Sequence, residues 1–488
     1  MRLKHSFSPA LVLGVLLLFS APANAQSLAE FVDKAAKVET VRIDATGQRF
    51  EPQQTIGPNA PARHASNYQL TTHWAPAEEQ ATEAWKLRTI YPFPNNLTFE
   101  ASYHANGGTR SGRDGFRPSA DGPVSPARLG AVMKDLWLTN PLLLMARASG
   151  DVSAFETGAA YTFNAMDTQW TVTINPETGL PETLETIERD HLETTRVNSV
   201  SFKDWRMIDG VPFSFRIEQR IGGRLIRREV RNEVSINNAF ERPVPSPASE
   251  ENFDQARKDL GWSMSHFFLR RAMLGAPSDG DEAASVQINN LGRGIYQVTG
   301  SSHHTIIVEG RKGLAIVDAA WYPRRSEAVL AAIRKKWRRK RIKYLILTHH
   351  HIDHTGGLLP LAELDLTLVT SAANFTYFYD ILNEQLDEVP RMRPVDGRLS
   401  LTGIGRELDL FDVPNSHADD MIGIYVEDAK TVINTDLYSP GRPTQQMVWA
   451  SELADAIKFH DLDVEQHVGT HGLGLEPHEN LLQLRAAQ

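Results

Sequence analysis

The chain reads as an α/β protein in two parts: a mostly antiparallel β-sheet carrying a helix, then sheets sandwiched between helices. Three observations predict this. The first half places apolar residues at period two between turn signals. The second alternates strand-length and helix-length apolar runs, and a Pro/Ser-rich stretch separates the halves. At 488 residues the chain exceeds one ordinary core, and its 41% hydrophobic and 23% charged composition is that of a globular protein. A formal net charge of -9 argues against nucleic acid as a general partner.

Residues 1–25 pair a basic start, Arg2 and Lys4, with an apolar middle from Ala10 to Phe19 and a small-residue end, Ala23-Asn24-Ala25. This is the pattern of a secretory signal peptide. Its apolar part is short for a bilayer span, and no later stretch is apolar enough to span. The mature chain is therefore expected to begin near Gln26, to carry no transmembrane segment and to work in the periplasm or outside the cell. The sequence contains no cysteine, so disulfides are excluded and any metal site must use nitrogen and oxygen ligands.

Residues 26–245 form the expected β-rich domain. Val41, Ile43 and Ala45 alternate, as do Leu97, Phe99 and Ala101, then Trp170, Val172 and Ile174. Turns are marked by Asn106-Gly107-Gly108, the run from Asn175 to Gly179, Asp209-Gly210 and Gly222-Gly223. Pro126 to Ala148 carries Leu129, Val132, Met133, Leu136 and Trp137 at helical spacing, with Pro141 set to kink or divide the helix. A sheet with a helix across it buries one face and could leave a groove. The strand rhythm and the phrase Thr178-Gly179-Leu180-Pro181 are similar to the curved half-barrel domains of periplasmic lipoprotein carriers. His64, His73, His104 and His191 are scattered and read as surface or hydrogen-bonded residues.

Residues 246–284 are the expected linker with a helix. The Pro/Ser-rich run from Arg242 to Ser249 leads into a helical stretch, Asn252 to Leu274, and the loop from Pro277 to Glu282. Residues 285–488 then read as the second domain. Gly294 to Val298, Thr305 to Val308 and Leu314 to Val317 are strands, Arg324 to Trp337 an amphipathic helix and Tyr344 to Leu347 a strand. Strands at Leu366 to Val369, Leu408 to Val413, Ile422 to Val426 and Val432 to Asn434 and a helix from Ala450 to Phe459 follow. Ligands in such folds gather where strands end in loops.

One such end is Thr348 to Gly357, THHHIDHTGG, where His349, His351, Asp353 and His354 make the pattern H-x-H-x-D-H. Imidazole and carboxylate bind borderline divalent ions well, and ligands close in sequence converge on an ion without ordering a long loop. His349 and His351 can share one metal, while Asp353 and His354 point differently and suit a second. A solvated His-rich loop is the plainer alternative. Against it, three downstream residues also stand at strand-loop junctions: His417 in PNSHADD, Asp436 in NTDLYSP and His471 in GTHGLG.

With these residues in order, the second domain resembles the metallo-β-lactamase superfamily, whose fold has four layers, αββα. The resemblance implies that His349, His351 and His417 hold one zinc, that Asp353, His354 and His471 hold another, and that Asp436 bridges them. Iron or manganese would suit the same donors. A bridging Asp resembles the branch containing glyoxalase II, lactonases and phosphodiesterases, whereas the best-known dizinc β-lactamases use Cys there or lack the bridge. The implied function is an exported dinuclear zinc hydrolase in which a metal-bridging hydroxide cleaves an ester, thioester, lactone or related bond of a small-molecule substrate. A β-lactamase, an iron-dependent redox enzyme on the same ligands and a non-catalytic envelope-binding protein are the competing readings.

In this scheme Asp353 orients the nucleophile and relays its proton. Asp318 resembles a family Asp that supports the metal loop from behind. His303, His304, Tyr438 and Arg442 are candidates to touch substrate. His350 is expected to face away from the metals, and Gly356 and Gly357 to permit a sharp turn beneath the ligands.

Overall fold

A computed structural model describes residues 27–92, 94–105, 107–113, 121–124, 126–148, 159–192, 194–240, 261–262, 266, 285–419, 421–441 and 447–486. The expected signal peptide, the Pro/Ser-rich run, the loop at 277–282 and Arg442 lie outside the described residues, as does the expected helix at 252–274 apart from Gly261, Trp262 and His266.

Among the described residues of the first half, twelve antiparallel strands form one sheet. The chain begins at the middle of that sheet with Val41–Glu51 and steps outward strand by strand to an edge at Gly122–Pro123. A helical segment then crosses one face to the opposite edge, Ala160–Ala165, and the chain steps back until Arg224–Ile236 pairs with the first strand. The crossing segment is divided as expected: Pro126–Leu138 ends before Asn140, and Pro141 starts a second helix, Pro141–Met145. Odd-numbered positions of the first strand, Val41, Ile43 and Ala45, turn toward these helices. Trp74 of the sheet meets Trp137 of the helix edge-on, with ring centroids 4.6 Å apart.

A polar group is buried in the same layer. The Glu229 carboxylate accepts from Tyr68 Oη at 2.8 Å and from Arg227, while Arg231 donates to Asn140 Oδ1 at 3.1 Å and to the Thr139 carbonyl at 2.9 Å, where the helix divides. The opposite face of the sheet is concave and polar. It encloses a groove of about 920 Å³ with Lys86, Arg88, Lys203, Arg216 and Arg228 among its lining residues and Glu218 facing them.

The second half forms four layers. A seven-stranded sheet runs from Gln287–Gly292 to Arg391–Val395, and a six-stranded sheet from Arg398–Leu401 to Leu475–Pro477. Alternation along the strands builds the layers directly. Ile316 and Leu345 face the helices Pro323–Lys336 and Ala372–Gln385, whereas Ala315, Val317 and Ile346 face the other sheet. In the second sheet Leu410 points inward to that shared core, and Phe411 outward to the helices Met447–Phe459 and His478–Ala486. This is the α/β fold class expected from the sequence.

The halves are packed together. Ala131 and Leu192 of the first are buried in the apolar layer of Trp321 and Leu382, and Gln385 donates to the carbonyls of His191 and Leu192 at 3.0 and 3.1 Å.

Burial alone would raise the Glu229 carboxyl, but the guanidiniums of Arg227 and Arg231 outweigh it and hold the group below the usual glutamate range. Its stabilisation is therefore present above that range and is lost as pH falls through the lowered folded value. Replacing Glu229→Ala leaves two buried guanidiniums without their carboxylate, and we expect a loss of about 3–5 kcal/mol in denaturant unfolding at neutral pH.

Candidate metal centre

The strand Ile342–Ile346 lies parallel to Leu314–Val317 in the middle of the seven-stranded sheet, and both end at the same rim. Asp318 closes the second of these strands in a left-handed conformation, φ 61°, and is fully buried. Its carboxylate accepts from the Thr348 amide at 2.9 Å and from the Thr348 hydroxyl at 2.9 and 3.0 Å, and stands 3.2 Å from His354 Nδ1 and 3.3 Å from Thr435 Oγ1. One side chain thus fixes the start of the histidine loop, one of its imidazoles and the residue before Asp436.

Asp436 is the meeting point. Its Oδ2 lies 3.3 Å from His349 Nε2, 3.1 Å from His354 Nε2 and 3.1 Å from His417 Nε2, and its Oδ1 lies 2.7 Å from His471 Nε2. Each imidazole has its other nitrogen turned toward a support. His349 Nδ1 faces Thr348 Oγ1 at 3.2 Å, His417 Nδ1 faces Tyr91 Oη at 3.5 Å and His471 Nδ1 faces the Ser302 carbonyl at 3.2 Å. His351 is reversed, with Nε2 donating to the Thr55 carbonyl at 2.8 Å so that Nδ1 turns inward.

Ligand atoms of His349, His351, His417 and Asp436 all lie within 4.8 Å of one another, and those of His303, His354 and His471 form a second such group. The inward nitrogens His349 Nε2, His351 Nδ1 and His417 Nε2 are buried without a hydrogen-bond partner. The carboxylate is near the first and third, yet not at a hydrogen-bonding angle. Orphaned lone pairs converging from imidazoles whose outer nitrogens are anchored are what a divalent cation requires. The all-nitrogen-and-oxygen donor set fits zinc, iron or manganese.

The electrostatics agree with this. Burial lowers the pKa of His349 and His351, keeping them neutral, which is the form that binds metal. Burial would raise Asp436, but His354, His417 and His471 outweigh it and hold its carboxyl well below the usual range. Burial likewise opposes ionisation of Asp353, and His354 and His303 overcome it.

The remaining candidates are placed as follows. Asp353 stands beside the second group, with Oδ2 3.0 Å from His303 Nε2 and 3.9 Å from His354 Nε2. His303 is thus drawn into the ligand cluster itself. His304 is buried, with its amide donating to the Thr470 carbonyl at 2.7 Å. Tyr438, expected to touch substrate, does not: it is 1% exposed and packs in the apolar layer with Phe411 and Leu453, its ring against His467, because the chain after Asp436 dives toward the outer helices. Gly356 and Gly357 also act otherwise than expected. Gly356 is helical, φ -60°, and a Cβ there would meet the Trp321 carbonyl at 1.9 Å; one at Gly357 would meet Ser326 Oγ at 2.3 Å. Close packing, not a sharp turn, requires glycine. His350 turns away from the ligand group toward Thr55 Oγ1, 3.1 Å away.

Sequence reasoning missed Gln54, Thr55 and Tyr91. Gln54 Nε2 donates to Asp353 Oδ1 at 2.6 Å across 299 positions of chain. A polar residue in a loop between two strands carries no local signal of such a partner.

Residues 298–441 match the family model described as the Metallo-beta-lactamase superfamily. The chain is 25% identical over 183 residues to the 2,4-dinitroanisole O-demethylase subunit alpha of Nocardioides sp. (strain JS1661), covering 36% of this chain and 55% of that protein. It is 25% identical over 91 residues to the metallo-beta-lactamase type 2 of Bacillus cereus, covering 17% of this chain and 35% of that one. The chain therefore spans about half or less of the length of these curated relatives. Among solved structures, a metallo-beta-lactamase from Pontibacter korlensis is similar at 16% identity and a TM-score of 0.34, over 42% of this chain and 100% of that one. The FIM-1 metallo-beta-lactamase of Pseudomonas aeruginosa is similar at 18% identity and a TM-score of 0.32, over 41% and 93%.

Asp318→Ala would leave the Thr348 amide and hydroxyl without their buried acceptor. We expect the metal-free protein, held in chelator, to lose about 3 kcal/mol or more in denaturant unfolding.

Proposed function

We propose that this chain, whose residues 298–441 match the metallo-β-lactamase superfamily model, is a dinuclear zinc hydrolase acting on an ester, thioester, lactone or related bond. The observation that carries this reading is the Asp436 carboxylate, one oxygen toward His349 and His417, the other toward His471, with His354 beside it. In the proposed assignment His349, His351 and His417 hold one ion, His354, His471 and Asp353 the other, and Asp436 both.

A pair of zinc ions held by these residues would supply Lewis acidity, bringing the pKa of water from 15.7 toward about 7. The chain's own residues do the rest. Asp353 orients the attacking water and takes its proton, with His303 Nε2 3.0 Å away steadying the carboxylate. The water oxygen bonds to the acyl carbon, the bond to the leaving oxygen or sulfur breaks, and the proton held on Asp353 returns to the leaving atom. Asp318 keeps His354 oriented through its Nδ1, 3.2 Å away.

Two features support a place in the bridging-aspartate branch with glyoxalase II and lactonases. Asp436 occupies the shared position, and the sequence has no cysteine to serve as a ligand. We also propose export, on the basic, apolar and small-residue order of residues 1–25. No helix among the described residues is long and apolar enough to cross a membrane.

The test is a substrate-class screen of zinc-loaded protein with Asp353→Asn as control. We expect hydrolysis of an ester, thioester or lactone that falls by about 10²–10⁴-fold in the variant. Equal rates would remove the role given to Asp353. Faster turnover of a β-lactam panel, or stoichiometric iron with oxygen consumption, would overturn the class.

A further inference from the structure

The first half of the chain reaches the metal centre through the loop after its first strand. Gln53, Gln54 and Thr55 are buried there, and Arg224 holds the loop at both ends through the carbonyls of Pro52 and Pro58, at 3.2 and 3.3 Å. From this loop the Thr55 carbonyl accepts from His351, the Thr55 hydroxyl meets His350, and the Ile56 carbonyl accepts the Asp419 amide at 2.7 Å. Arg63 donates to the His417 carbonyl at 3.1 Å, with its guanidinium 4.4 Å above the Tyr91 ring. Supports for two ligands of the first group, His351 and His417, therefore come from the sheet domain.

Gln54 is the most pointed of these contacts. A carboxylate only accepts, so the Gln54 atom 2.6 Å from Asp353 Oδ1 is the amide nitrogen. The amide oxygen then faces Tyr91 Oη at 3.1 Å, which donates to it. The Tyr91 hydroxyl also lies 3.5 Å from His417 Nδ1. Tyr91 fixes the amide, and the amide fixes one oxygen of Asp353, leaving Oδ2 turned toward His303 and His354.

We infer that the N-terminal domain is a constituent of the active site, and that Gln54, oriented by Tyr91, is a positioning residue for Asp353. The inference rests on the metal-centre reading above and adds to it a role for the half that carries none of the motif. A side chain that holds a ligating carboxylate in place acts on metal affinity before it acts on any substrate, and losing such a support costs about 10–100-fold in affinity. A residue that merely glues two domains acts on stability alone.

The experiment is a double-substitution cycle on full-length protein, with zinc affinity read by competition against a chromogenic chelator and metal-free unfolding measured alongside. Gln54→Met keeps the length of the side chain and removes the donor. We expect it to weaken the more loosely held zinc about 10–100-fold, Tyr91→Phe to weaken it less, and Gln54→Met to add little to Asp353→Asn. Unchanged zinc affinity in Gln54→Met, or effects of Gln54 and Asp353 that simply add, would overturn the inference, whatever happens to stability. Wild-type protein that binds zinc but hydrolyses nothing would remove the substrate reading and leave this one standing. Wild-type protein that binds no zinc would remove both.

Discussion

A buried carboxylate ringed by imidazoles is the constraint on which the second domain depends. Asp436 would be costly in that position without compensation, because burial disfavours its charge. The compensation comes from histidines that no single segment supplies: His349 and His354 follow one sheet, while His417 and His471 follow strands of the other. The two sheets must therefore stack at a fixed distance and rotation before the centre exists. Their shared apolar core, from Val317 and Ile346 on one side to Leu410 and Ile433 on the other, provides that stacking. Asp318 then links the strand ends, so that a shift of either central strand would be felt at once by His354 and Thr435.

The centre was legible in the sequence where chemistry is local. Four of its residues fall within six positions, and His417 and Asp436 follow clear apolar runs, whereas His471 follows a four-residue strand, Gln466–Gly469, with little apolar signal. The four-layer half was readable for the same reason, since Leu314–Val317 or Ile422–Val426 are buried on both faces and leave continuous apolar signals. The large first sheet was less so. Strands such as Arg63–Ala75 carry Thr, Gln and His on the face that lines the polar groove, and a sheet face that is neither apolar nor simply solvated leaves only half a pattern. Three residues depart from expectation for one reason. The surroundings of Tyr438, Gly356 and Gly357 are set by chain distant in sequence, which local neighbours do not signal: His467 beside Tyr438, Trp321 and Ser326 beside the glycines.

The first domain also shows how a sheet can carry polar groups on both faces. On the helix side they are paired and dry, as with Glu229 among Tyr68, Arg227 and the helix junction held by Arg231. On the other side the lysines and arginines of the groove keep water contact, so their charge there is sustained by solvent. The paired residues lie on the strands Arg63–Ala75 and Arg224–Ile236, which flank the strand that leads into the loop carrying Gln54.

That loop ties an early part of the chain to a late one. Gln54 and Asp353 are separated by 299 positions, and the histidine closing the second ligand group stands at 471. Because the chain emerges N-terminus first, the sheet can close its own hydrogen bonds before any imidazole of the cluster is available. What the newly made domain then offers is a polar tongue with its partners still to come, stable in water because its amide and carbonyls are solvated. Assembly of the centre accordingly depends on docking the two halves, and is sensitive to anything that separates them.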